Sequence, residues 1–228
     1  MKALLFDMDG TLVDSMKHWK DTEMDCLHRL EMDTRLLDYD LVVTAGVSEA
    51  VRLMNEQNGT QIDVDRVEQD IRDEMARFYD EEVELRKGVE EMLRAFQKAG
   101  FALGMGTATP LEMAEIALEH TGIRPYFDFV YSSSVDGYAK NDKHFFQACA
   151  TRFSRKPEEV VLFDDALYAI VTARNTGMDT VALMDPSYEQ NREALKRLAH
   201  KWLNGFEEMD LPAWISYLTQ ESSEEERR

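Results

Sequence analysis

The stretch Leu4-Leu5-Phe6-Asp7-Met8-Asp9-Gly10-Thr11-Leu12-Val13-Asp14 limits what this chain can fold into more than any other. A short apolar run at the start of a chain reads as a buried strand. Here the run ends abruptly in two carboxylates, Asp7 and Asp9, and a core has no use for either. At spacing i, i+2 on a strand their side chains point to the same side. Two anions that close repel unless a cation, a shared proton or hydrogen-bond donors hold them. Gly10 lets the chain turn through backbone angles that other residues avoid. Strand, paired acids and tight turn together describe a site for a hard cation such as Mg2+, which takes oxygen ligands. A solvated acidic turn would also read Asp-x-Asp-Gly. The apolar frame, Leu4 to Phe6 before and Leu12 with Val13 after, favours the cation site, and complementary groups later in the chain decide the matter.

With 228 residues the chain can build one large domain, or a core with a smaller companion. Its hydrophobic content of 44% suits a globular protein with a substantial core. No apolar run approaches the ~20 residues that span a bilayer. Residues 1–15 lack the basic start and small-residue cleavage site of a secretory signal, so the default location is the cytoplasm. A formal net charge of −19 repels phosphate backbones and anionic lipid, which disfavours nucleic-acid and membrane partners. Cys26 and Cys149 lie in helix-like apolar patterns with no Cys or His at metal spacing, and read as buried, reduced thiols.

After the opening turn, residues 15–87 read as helical. Met16, Trp19, Leu27 and Leu30 mark one face, Ser48 caps a second helix, and Val64, Val67, Ile71, Met75 and Phe78 form an amphipathic stripe behind an Asp63 cap. From Gly88 the pattern alternates. Helices are expected at Val89–Lys98, Leu111–His120, around Phe145 to Phe153, around Ala166 to Ala173 and from about Glu189 to Lys201. Between them run short apolar strands, ending at Gly106, Tyr131, Phe163 and Met184, with a loop from Ser132 to Asn141. Such alternation implies an α/β fold with a parallel sheet covered by helices on both faces. Ligands of such sheets bind beyond the carboxyl ends of the strands. That rim collects Asp7/Asp9, Thr107/Thr109, the loop with Lys140, and Asp164/Asp165. Residues 202–218 keep Trp202, Phe206, Trp214 and Leu218 and are expected to pack on the core, while 221–228 is expected to be a disordered tail.

Asp-x-Asp-Gly-Thr at 7–11, a strand-end Thr107, Lys140 and the pair Asp164-Asp165, in this order, resemble the four motifs of the haloacid dehalogenase-like superfamily. The helical stretch between the first two motifs resembles the cap of its phosphoglycolate phosphatase and β-phosphoglucomutase branch. The resemblance covers roughly residues 1–200. It implies a three-layer α/β/α, Rossmann-like core from residues 1–14 and 86–228, with a helical-bundle cap inserted at 15–85. It also implies a Mg2+-dependent phosphatase acting on a small phosphorylated metabolite such as a sugar phosphate, with a monomer as the default state. Asp7 would be the nucleophile and form an aspartyl phosphate; Asp9 would be general acid, then base. Asp7, the Asp9 carbonyl and Asp165 would hold the metal, with Asp164 acting through water or from behind a ligand. Thr107, the amides near Ala108, and Lys140 would hold phosphoryl oxygens. Thr44, Ala45 and Gly46 sit where caps of this branch place a substrate-specificity loop.

These residue types suit the chemistry. A phosphate ester and a carboxylate nucleophile are both anions, so a metal and a lysine must offset their repulsion. Taken alone, Lys140 would be a surface lysine, Thr107 a strand-end cap and His18 a plain helix residue; order and place change the reading of the first two. The third motif departs from the family's usual Gly-Lys-Pro, reading Ala139-Lys140-Asn141 without the stiffening proline, and Lys143 is a rival lysine. Three other functions share parts of this pattern. A phosphomutase needs cap residues for a second phosphate, and no basic cluster in 15–87 supplies them. A dehalogenase needs neither Asp9 nor Asp165. A non-catalytic binding protein on the same scaffold would be expected to have lost Asp7.

Overall fold

The opening strand, β1 (Ala3–Phe6), is buried along its whole length. In the computed structural model, which describes residues 1–29 and 47–225, β1 lies inside a six-stranded sheet. The others are β2 (Leu103–Thr107), β3 (Phe129–Ser132), β4 (Val160–Asp164), β5 (Asp179–Leu183) and β6 (Lys201–Leu203). All neighbours pair in parallel, in the order β3-β2-β1-β4-β5-β6. The chain therefore builds outward from β1 in one direction and, after β3, from β4 in the other. Between β1 and β4 lies the point where strand order reverses, the place where open α/β sheets bind ligands.

The chain divides into two compact units, Met1–Ser15 with Val83–Arg228, and Met16–Glu82. In the second unit lie α1 (Met16–Arg29), α2 (Val47–Asn58) and α3 (Val64–Glu81). The stripe expected on α3 is buried at Val67, Ile71, Met75 and Phe78, and Asp63 caps it by accepting from the Arg66 amide. Trp19 Nε1 donates to the Tyr79 hydroxyl at 2.9 Å, joining α1 to α3. His18 stacks on Phe78, ring centroids 3.9 Å apart, as a packed helix residue.

The sheet unit holds α4 (Val89–Lys98), α5 (Leu111–His120), α6 (Lys143–Arg152), α7 (Leu167–Thr176), α8 (Arg192–Leu198) and α9 (Leu211–Glu225). Successive strand residues point to opposite faces, so a strand covered on both sides is apolar throughout. Leu5 and its register partner Leu162 face Phe145, Phe146 and Cys149 of α6 and Ala169 and Ala173 of α7. Phe6 and its partner Phe163 turn the other way, stacked at 4.7 Å. There Phe163 meets Phe96 of α4 and Trp214 of α9. The parallel, two-faced α/β architecture expected from the alternation is the one observed. Both cysteines are buried and free. Among the described residues no helix is long and apolar enough to cross a membrane.

Three details differ from the sequence reading. The helix expected to run to Lys201 ends at Leu198; Ala199 is extended, and the chain then forms β6, with the His200 amide donating to the Thr180 carbonyl. A strand of three residues is too short to show a period. The loop after β3 contains a helical turn, Ser133–Asp136, capped by the Ser132 hydroxyl. The helix α9 carries on to Glu225, into the segment expected to be a disordered tail. Residues 202–218 thus supply β6, a turn whose Phe206 packs on Phe6 and Phe163, and most of α9.

Gly104 on β2 leaves room for two rings, for a Cβ there would lie 2.5 Å from the Phe129 ring and 2.6 Å from that of Phe153. Gly104→Ala is expected to lower stability by about 1–3 kcal/mol through overpacking, read as a shifted urea midpoint at unchanged slope.

Candidate active site

The chain leaves β1 through one tight turn. The amides of Thr11, Leu12 and Val13 all donate to the Met8 carbonyl, and Gly10 N–H donates to the Val13 carbonyl. Gly10 takes φ 75°, a left-handed angle that a side chain would strain. The Asp7 amide still donates to Phe163 of β4 at 2.9 Å, so the turn starts from a fixed strand end. On the way back, the Asp14 amide donates to the Glu84 carbonyl and the Arg86 amide to that of Leu12.

Beyond the carboxyl ends of β1 and β4, Asp7, Asp164 and Asp165 converge. Each offers an oxygen, these oxygens lie within 4.8 Å of one another, and all three residues are buried. Lys140, only 3% exposed, donates to Asp7 Oδ1 at 2.7 Å and to Asp164 Oδ2 at 2.5 Å. Its loop is held without a proline: the Asp142 amide donates to the Ala139 carbonyl, and the Asp142 carboxylate caps α6 through the His144 amide. The rival Lys143 is exposed at the start of that helix. Asp164 Oδ1 accepts from the Ala166 amide, and Asp165 Oδ1 from Thr11 Oγ1 at 3.5 Å. Asp165 Oδ2 is enclosed with no hydrogen-bond partner among the described residues. An enclosed, unpaired carboxylate oxygen is costly, and a hard cation would take it up; an all-carboxylate donor set fits Mg2+.

Asp9 faces a different environment. Its Oδ1 accepts from Ser15 Oγ and its Oδ2 from Thr109 Oγ1, each at 2.7 Å. Thr107, buried at the end of β2, accepts the Thr109 amide on its hydroxyl at 3.0 Å. Ala108 lies exposed between them, its carbonyl accepting from Ser133 Oγ. The structure thus brings Asp7, Lys140, Asp164 and Asp165 together directly and links Asp9 to Thr107 through Thr109. Thr44, Ala45 and Gly46 lie outside the described residues. Ser15, Thr11 and the hydroxyl of Thr109 were not assigned from the sequence. Thr109 stands two residues after Thr107 and Ser15 four after Thr11, and that nearness is the one signal that could have marked them.

The charges perturb one another. Burial pushes the Asp7 carboxyl up to about 7 against the pull of Lys140, with Asp164 and Asp9 adding to the rise. Burial, then the charges of Asp7 and Asp164, hold Asp165 well above the usual carboxylate range. Burial opposes the Lys140 charge, but Asp164 and Asp7 outweigh it and keep the ammonium above its ordinary value. Without a cation, the cluster therefore favours bound protons.

The sequence profile of the haloacid dehalogenase-like hydrolases matches residues 1–177. The chain belongs to this family. This hydrolase is 25% identical to hexitol phosphatase B of Escherichia coli K12 over 201 residues, covering 83% of the chain and 86% of that protein. It is 27% identical to the fructose-1-phosphate phosphatase YqaB of the same strain over 188 residues, covering 78% and 94%. The crystal structure of β-phosphoglucomutase from Clostridium difficile superposes with a TM-score of 0.76 at 18% identity, over the full length of both chains. The resemblance to the haloacid dehalogenase-like superfamily read from four motifs is borne out. The protein is an enzyme.

The raised carboxyls set a pH dependence. A carboxyl with a raised folded pKa takes up protons on folding, so the folded state is penalised increasingly as pH rises above the unfolded value of about 4. With EDTA present, Asp165→Asn should gain thermal stability relative to wild type as pH is raised from about 4 to about 8. Mg2+ should raise the wild-type midpoint and do so less in Asp165→Asn. Parallel pH profiles of the two proteins, recorded by differential scanning calorimetry, would contradict the burial argument.

Proposed function

We propose that the chain is a Mg2+-dependent phosphatase of small phosphorylated metabolites, sugar phosphates foremost. The observation that carries this reading is the convergence of Asp7, Asp164 and Asp165 on Lys140 at the strand-order reversal, with Asp9 held apart by two hydroxyls. The sugar-phosphate phosphatases among the relatives support the substrate class.

Asp7 would hold the metal with Asp165 and the Asp9 carbonyl, and Asp164 would act through water or by steadying Lys140. When bound, Mg2+ supplies positive charge against the phosphoryl oxygens and the nucleophile. Asp7 attacks phosphorus through a carboxylate oxygen, and the bond from phosphorus to the ester oxygen breaks. Asp9 gives its proton to the departing alkoxide. Water then attacks the aspartyl phosphate, Asp9 takes a proton back, and phosphate leaves with the Asp7 carboxylate restored. The separate environments of the two acids suit separate tasks. Lys140 and the Thr107 hydroxyl, which can donate while accepting from Thr109, would meet phosphoryl oxygens. Lys140, and Mg2+ when bound, would act at short range, where the net charge of −19 counts little because salt screens over about 10 Å.

The test is a panel of phosphorylated sugars, sugar alcohols and short acids with Mg2+, read by phosphate release. Wild type is expected to turn over some of them and to stop in EDTA. Asp7→Asn should lose on the order of 10⁴-fold or more in kcat. Turnover equal to wild type in Asp7→Asn, or activity indifferent to EDTA, would remove the assignment of nucleophile or metal. Isomerisation of a sugar phosphate stimulated by its bisphosphate, without phosphate release, would move the reading to a phosphomutase.

A further inference from the structure

Arg86 belongs to none of the four motifs. It follows the segment that brings the chain back beside the catalytic turn, and its side chain is only 14% exposed. Its Nη1 donates to the Gly10 carbonyl and approaches Asp185 Oδ2 at 3.4 Å. Its Nη2 donates to the carbonyl of Met184 at 3.0 Å and of Asn204 at 3.4 Å. Three carbonyls and a carboxylate, from three separate stretches of chain, therefore converge on one planar group. Only a guanidinium carries enough donors in fixed directions to meet them together.

Burying that cation has a desolvation cost, which Asp185 (5% exposed, and itself tied to the Ser187 amide) offsets. Joining the segments does not by itself require a charge. Val13 already bridges to Leu85, Asp14 N–H donates to the Glu84 carbonyl, and Met184 N–H to that of Leu203. What Arg86 alone adds, among the described residues, is a hold on the Gly10 carbonyl. Gly10 N–H is already committed to Val13, so with Arg86 in place the residue after Asp9 is fixed on both of its peptide groups. The turn that carries Asp9 is then steadied from the side that follows it.

We propose that Arg86 is a positioning residue for hydrolysis: through the Gly10 carbonyl it fixes the Gly10–Thr11 peptide, and so the turn that carries Asp9, relative to Asp7, and Asp185 keeps the guanidinium in place. The proposal rests on the phosphatase reading above for the task it assigns to Asp9. It makes Arg86 act through Asp9, without touching substrate.

The experiment compares full-length wild type, Arg86→Met, Arg86→Lys and Asp185→Asn. Steady-state kinetics use p-nitrophenyl phosphate at saturating MgCl2, well below each thermal midpoint; midpoints are taken in EDTA and in excess MgCl2. Arg86→Met is expected to lose about 100-fold in kcat, the scale of a small misplacement of a reacting group. Its KM should stay within about twofold, since ground-state binding is untouched. Arg86→Lys should recover only part of the loss, because an ammonium lacks the fork, and Asp185→Asn should lose kcat in the same direction. A lowered midpoint with kcat within about twofold of wild type would make Arg86 a structural clamp and overturn the proposal. Should Arg86→Met fail to fold, the same criterion applied to Arg86→Lys and Asp185→Asn decides. If wild type hydrolyses no phosphate ester, the functional reading falls by itself. Arg86 is then judged by the rise in midpoint that MgCl2 produces: a smaller rise in the Arg86 variants supports it, and an equal rise overturns it.

Discussion

The convergence of acids at the rim of the sheet depends on the contact of Lys140 with Asp7 and Asp164. A buried ammonium between two buried carboxylates is stable only as a set, since removing one partner leaves the others charged and dry. The set also fixes geometry. It joins the loop after β3 to the ends of β1 and β4, the two strands between which the order of the sheet reverses. The sheet brings the acids together because β1 and β4 are neighbours in register, Phe6 beside Phe163. The apolar stacking of those phenylalanines and the polar convergence one residue later are thus consequences of the same pairing.

Much of this was legible in the sequence because the signals are local. A buried parallel strand is an unbroken apolar run, and a run that stops in carboxylates marks its own functional end. Asp7, Asp9, Asp164 and Asp165 announced themselves that way, and Lys140 followed from its place after the third strand. The strip of apolar residues on α3 was equally plain, at helical spacing behind Asp63. Other parts left no trace. Lys201-Trp202-Leu203 is too short to show alternation, and it becomes a strand only because β5 offers a free edge to pair with. Ser15 and Thr109 are ordinary hydroxyl residues until the turn brings them against Asp9. Arg86 sits in a charged stretch, Glu84-Leu85-Arg86-Lys87, at the end of the segment read as helical, and no spacing there singles it out.

The division of labour between the two aspartates of the opening turn likewise exceeds what spacing can say. Alternation puts Asp7 and Asp9 on one side of an ideal strand, yet the strand stops at Phe6 and the turn takes over. Asp7 stays with the sheet, its amide on β4 and its carboxylate on Lys140. Asp9 goes with the turn, between hydroxyls from the chain's exit and from the end of β2. One acid is placed by a cation, the other by neutral donors. That difference in partners, rather than any difference in residue type, makes different chemistry available to two identical side chains.

The charge inventory of the rim points the same way. Asp7, Asp164, Asp165 and Asp185 are buried there, and among the described residues the cations that touch them are Lys140 and Arg86. With all four acids ionised, two negative charges are left uncompensated in a poorly solvated space, and burial answers by raising Asp7 and Asp165. Protons are one way to settle that imbalance; a divalent cation is the other, and it matches both the size of the deficit and the unpaired Asp165 Oδ2. In the proposed mechanism, protons would leave Asp7 unable to attack. Under the proposed function the arrangement would make the nucleophile conditional on the cation: Asp7 would be a carboxylate with a metal held, and holds a proton more readily without one.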